Sequence, residues 1–233
     1  MTNIDYKELS EKLVKLLELN SSPISVNILK KEPKDLKRAN RTGAVCGFWG
    51  RSEKESFYAS ASDHLDCPIG AEVVGFTLDE GRKKSRDKIY WMMIESGVMS
   101  KKALKNWKRS MPRLRQEKTK FIAYEPLALS HKDPDTVILK CKPFQAMLLA
   151  SAAGKELGKE TLVLSNFPGC CIIPVAYKNN EIVISLACDG SRKLMPIKAD
   201  ELLVGIPGKK LAKLVKELEE FVEGREKFEK FFE

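Results

Sequence analysis

The chain has 233 residues, enough for one large domain or two small ones with a real hydrophobic core, and its 43% hydrophobic and 31% charged content is that of a globular protein. No stretch approaches the roughly 20 apolar residues of a membrane helix, and the start, MTNIDYKELSEKL, is polar and without an apolar signal region, so a cytoplasmic protein with no membrane partner is expected. The formal charge of +9 is local: Glu80 to Lys120 holds 14 Lys/Arg against four acids, a net +10, so the remainder sums to about −1.

In chain order, residues 5–19 read as an amphipathic helix with Leu9, Leu13, Leu16 and Leu17 on one face, broken by Ser21, Ser22 and Pro23. PISVNIL alternates at Ile24, Val26 and Ile28 as a half-buried strand, and Lys30 to Arg41 is a polar connection. GAVCGFWGRSEKES is a short helix carrying Cys46. SFYASAS is a strand that ends in the turn DHLDCPIG. Pro68 opens a helix there, because proline suits a first helical turn.

The basic segment reads as helices, with Ile89, Met92, Met93 and Val98 on one apolar face and Leu104, Trp107 and Met111 on another. It fits a solvated insertion anchored by its aromatics, a cationic cover for an anionic small ligand, or a nucleic-acid patch. No nucleic-acid motif accompanies it, so nucleic acid is the least favoured partner. FIAYEPLAL then looks extended, HKDPD is a turn, and TVILKC is a strand. PFQAMLLASAAGKELG is a helix with apolar spacing at Phe144, Met147, Leu148 and Ala152 and a stop at Gly158. CCIIPVAY and EIVISLAC read as strands joined at Lys178–Asn180. GKKLAKLVKELEEFV is a closing amphipathic helix, and Phe228, Phe231 and Phe232 beyond it suit a core or an interface.

These elements predict an α+β fold, an antiparallel or mixed sheet with helices packed outside. Two stretches rhyme, about 20–78 and 134–206. Each runs from a strand through a helix to further strand and then a cysteine turn, Cys67 in DHLDCPIG and Cys188 in ACDGSRK. The basic insertion 80–120 separates them and the C-terminal helices 207–232 follow.

Six cysteines in a reducing compartment serve metal binding, catalysis or plain burial. No Cys-x-x-Cys occurs, which removes zinc ribbons, thioredoxin motifs and ferredoxin-type runs. Two glutamines against abundant Lys and Glu resemble heat-adapted composition.

PISVNIL, the Cys46 segment, DHLDCPIGAEVVG, YEPLAL with PDTVILKCKPFQAM, the Cys170–Cys171 region, and ACDGSRK with ADELLVGIPGKKL resemble, in that order, the uncharacterised archaeal and bacterial family called domain of unknown function 169. The resemblance covers nearly the whole chain. It implies that Cys46, Cys67, one of Cys170 and Cys171, and Cys188 are the characteristic thiols. Cys141 lies outside that pattern. The resemblance implies no activity.

Those thiols could converge on an iron–sulfur cluster or another metal, since turns with Gly70 or Gly190 offer N–H groups to sulfur. They could equally be buried small apolar residues; a thiol or disulfide redox role is a further alternative. His64, three residues before Cys67, is a candidate co-ligand or a plain hydrogen-bonded histidine. Arg192 could grip a carboxylate or phosphate, or form a structural pair with Asp189 or Glu201. No P-loop, G-x-S-x-G elbow or Ser/His/Asp order is present, so no enzyme class follows. The expectation is a cofactor-binding protein with an electron-transfer or cofactor-handling role. The alternatives are an enzyme or sensor for a small anionic molecule, and a nucleic-acid-associated protein.

Overall fold

The computed structural model describes residues 4–116, 119–157, 161–164 and 167–231. The sheet has seven strands among the described residues: β1 (Ile24–Leu29), β2 (Phe57–Ser60), β3 (Phe121–Pro126), β4 (Thr136–Cys141), β5 (Leu162–Leu164), β6 (Val183–Ser185) and β7 (Leu202–Pro207). Their order is β2-β3-β1-β4-β7-β6-β5, antiparallel except for the β5–β6 pair. The fold is α+β with a mixed, open sheet.

The register follows one plan on both sides of the β1–β4 seam. Ser25, the second residue of β1, faces Val137, the second residue of β4. β1 pairs end to end with β3, from Ile24↔Pro126 to Leu29↔Phe121, and β4 pairs in the same way with β7, from Thr136↔Pro207 to Cys141↔Leu202. The edge strands also match: Phe57 opposes Tyr124, the fourth residue of β3, and Val183 opposes Gly205, the fourth of β7. Even the turn bonds correspond, Leu127 N–H to the Pro23 carbonyl at 2.8 Å and Gly208 N–H to the Asp135 carbonyl at 3.2 Å.

Helices cover both faces. On one lie α1 (Tyr6–Leu17), α6 (Pro143–Leu157) and α9 (Leu211–Glu229), packed on Val137, Leu139, Val204 and Ile206. Asp5 caps α1 by accepting the Lys7 and Glu8 amides, as an N-cap aspartate does. On the other lie α2 (Val45–Ser52), α3 (Pro68–Val73), α8 (Asp189–Leu194) and a helical run: a 3₁₀ turn Gly169–Cys171, α7 (Ile172–Pro174) and a π-turn Val175–Asn179. The insertion forms α4 (Glu80–Glu95) and α5 (Lys101–Ser110) on this same layer.

Several expectations are corrected. CCIIPVAY is helical, not a strand: Pro174 has no N–H to give a ladder, and Asn180 ends the run in the left-handed region (φ 55°). Gly205 makes room for it, since a Cβ there would meet Ile172 Cβ at 3.2 Å. LLVGIP, unassigned by periodicity, is the strand β7, buried along its whole length. EIVISLAC supplies only the short β6. The partner of α2 across the seam is therefore the 169–179 run, and α6 has no counterpart in the first half. On the insertion, Met92 and Val98 are exposed, and Tyr90 is the buried anchor, edge-on to Trp107, which stacks on Phe167. Phe144 and Met147 of α6 are largely exposed, while Ala146, Leu149 and Ala153 face the core. Phe228 and Phe231 are mostly solvent-exposed; Gly158 and Phe232 lie outside the described residues.

Candidate functional site

The thiols of Cys46, Cys67, Cys170, Cys171 and Cys188 gather where α2, α3, α8 and the Gly169–Cys171 turn meet. Cys67 and Cys188 are the N-cap residues of α3 and α8, both in extended backbone conformation. Each sulfur accepts the amide three residues on: Gly70 N–H to Cys67 Sγ and Ser191 N–H to Cys188 Sγ, both at 3.4 Å. A short helix that needs an N-cap acceptor thus receives a sulfur instead of the usual oxygen.

Gly70 faces this cluster. A Cβ on Gly70 would lie 3.5 Å from both Cys67 Sγ and Cys170 Sγ, so the two sulfurs are within twice that distance of each other. Gly169 is placed more tightly still, since a Cβ there would be 2.6 Å from Ser191 Oγ. Ser191 Oγ in turn lies 3.0 Å from Cys188 Sγ and opposes the upward push that burial gives the Cys46 thiol. Helix α8 packs on α2 at the same place, with Leu194 against Gly47.

Burial sets the electrostatics. Cys46 is pushed up to about 12, first by burial and then by charge on Cys67 and Cys188. Cys170 is held well above an ordinary thiol by burial, then by Cys171, Cys67, Cys188 and Cys46. Burial also raises Cys67 and Cys171; the Gly70 amide opposes it at Cys67 and Arg113 at Cys171. Each of these sulfurs titrates under the influence of others in the group. Protonated and desolvated at neutral pH, they are poor nucleophiles, which disfavours thiol catalysis. A bound cation reverses this logic, because it displaces the protons and neutralises the thiolates.

Cys141 lies apart, in the layer under α6 and α9. His64 is taken up by other partners. It is fully buried, Nδ1 against the Ser60 carbonyl at 2.6 Å and Nε2 against Tyr124 Oη at 2.8 Å. Both ring nitrogens are occupied, which removes the co-ligand reading, and burial lowers its pKa to about 4. Arg192 donates to the carbonyls of Lys198 at 2.6 Å, Leu186 at 2.8 Å and Glu201 at 3.1 Å. It ties the Cys188 turn to the 198–201 segment that leads into β7 and presents no free fork to a ligand. Gly190 lies beside Cys188 Sγ, at 3.9 Å from its Cβ position.

Three contributors escaped sequence reading. Ser191 was detectable as the third residue after a cysteine N-cap. Tyr124, which senses Cys170 and Cys46, carried no local signal. Glu72, bonded to Arg86 and Arg113 at 3.3 Å each, anchors the basic insertion beside the thiols.

Among the described residues no three His, Cys, Asp or Glu side chains form a group that could hold a single metal ion. A tetrahedral ion bound at about 2.3 Å from sulfur needs sulfurs about 3.8 Å apart. A four-iron cluster takes one thiolate per iron and so suits sulfurs spread more widely around one body.

A model of the family DUF169, described as an uncharacterised ArCR family, matches residues 12–217. The chain belongs to DUF169. Another protein similar to it is the uncharacterized protein MJ0308 of Methanocaldococcus jannaschii, 25% identical over 225 residues that cover 93% of this chain and 95% of the relative. No solved structure matches. No helix among the described residues is long and apolar enough to cross a membrane.

Proposed function

We propose that this DUF169 protein binds an iron–sulfur cluster through Cys46, Cys67, Cys170 and Cys188, and works in electron transfer or cofactor handling. The observation that carries the proposal is the convergence of four sequence-distant thiols at one junction, two of them receiving backbone N–H groups. Such donors stabilise thiolate in bound clusters. The matched registers support reading the two halves as internal copies, each giving one helix thiol (Cys46, Cys170) and one N-cap thiol (Cys67, Cys188). Cys171 is the spare sulfur, fully buried.

When bound, the cluster would supply one-electron chemistry. The chain's own part is to hold the sulfurs, lend the Gly70 and Ser191 amides, and exclude water through the buried faces of α2 and α7. Anaerobic purification followed by iron, sulfide and visible-absorption measurement tests this. Stoichiometric iron and sulfide lost on Cys46→Ala support it; a colourless, iron-free protein after reconstitution contradicts it.

A further inference from the structure

On the opposite face of the sheet, the first half departs from the second at matched positions. Val137, Leu139 and Ile206 lie under α6 and α9, whereas their counterparts are Ser25, Asn27 and Glu125. These polar side chains are nevertheless 0%, 1% and 1% exposed. They lie beneath the 127–135 connection and beside a cleft of about 610 Å3, within the range of small-molecule sites.

Ser25 and Asn27 hold the connection in place: Ser25 Oγ meets Ser130 Oγ at 2.9 Å, and Asn27 Oδ1 accepts the Asp135 amide at 3.2 Å. Glu125 then grips the His131 imidazole at Nδ1. A buried carboxylate with one imidazole partner fixes that ring, and His131 Nε2 has no partner among the described residues. Lys30, Lys31 and Lys132 line the same cleft, none of them in an ion pair among the described residues; Asp35 is the one further acid there.

We infer that this cleft binds a small anion bearing a carboxylate or phosphate group, with His131 Nε2 and the three lysines as its contacts and Glu125 as a positioning residue. The site is separate from the thiols and stands whether or not a cluster binds them.

Calorimetric titration with inorganic phosphate and, separately, malonate at constant chloride tests it. One of the two should bind, and His131→Gln should weaken that binding roughly tenfold, the worth of one charge-assisted contact. Glu125→Gln should weaken it less, and Cys46→Ala should leave it unchanged. Tighter phosphate binding would indicate a phosphorylated ligand, tighter malonate binding a carboxylate. His131 is half-exposed on a loop, so its variant should keep the parent circular dichroism. No heat with either anion, or binding that His131→Gln leaves intact, overturns the inference.

Discussion

Cys67 and Cys188, 121 positions apart, play the same structural part, since each caps a six-residue helix and each sulfur accepts the amide three residues on at 3.4 Å. Serine is itself a strong N-cap. Cys67→Ser and Cys188→Ser should therefore each keep the thermal midpoint within a few degrees while losing most bound iron. Cys141→Ser should do the reverse, keeping the iron while losing stability, because it puts a hydroxyl into the apolar layer under α6 and α9. Iron assays beside thermal melts on the three variants check this pattern.

His64 makes folding pH-dependent. Its pKa is about 4 in the fold, against an ordinary 6.5 in the unfolded chain. The unfolded state then binds more protons between these values, so this contribution is full above pH 6.5 and is lost as pH falls toward 4. At pH 5 the fold should be weaker by about 2 kcal/mol than above pH 7 from this residue alone. Urea midpoints at pH 7 and 5 should show the drop, and His64→Gln should flatten it, apart from the packing cost of the substitution itself.

Glu72 holds the insertion by facing Arg86 and Arg113 together with its side chain 11% exposed. Glu72→Gln leaves two guanidinium groups without their shared counter-charge and should cost about 1–3 kcal/mol. Limited proteolysis should then cut between residues 80 and 120 sooner than in the parent protein. An unchanged cleavage rate would mean the insertion is held by Tyr90, Trp107 and Phe167 alone.

Gly208 begins the turn after β7, where a Cβ would sit 1.6 Å from the Pro134 carbonyl oxygen. Backbone cannot yield there as a flexible side chain could. Gly208→Ala should destabilise by about 3 kcal/mol, read as a lower denaturant midpoint.

Much of this fold was legible wherever one face of an element meets solvent. α1 and α9 showed their periods, and β1 its alternation of residue types, although Ser25 and Asn27 on its other face are buried as well. TVILKC was read as a strand without one, and the two similar cysteine turns drew attention to Cys67 and Cys188. β7 was hidden because burial on both faces erases alternation. CCIIPVAY misled because its β-branched run outweighed Pro174. At the site, the cysteines were visible as residue types, but their meeting depends on Gly70 and Gly169, whose meaning is tertiary. His64 and Arg192 looked like ligands because sequence cannot show that Tyr124 or three carbonyls have already claimed them. Glu125 and His131 went unpaired for the same reason, since strand and loop meet only in the folded chain.

The most direct measurement is iron and acid-labile sulfide per chain after anaerobic purification and reconstitution with ferrous iron and sulfide. The account predicts about four of each, the content of one cubane cluster held by four thiolates, with loss on removing Cys46, Cys67, Cys170 or Cys188 and retention on removing Cys141. Protein that stays colourless and iron-free, with its thiols intact and its fold unchanged, would contradict it.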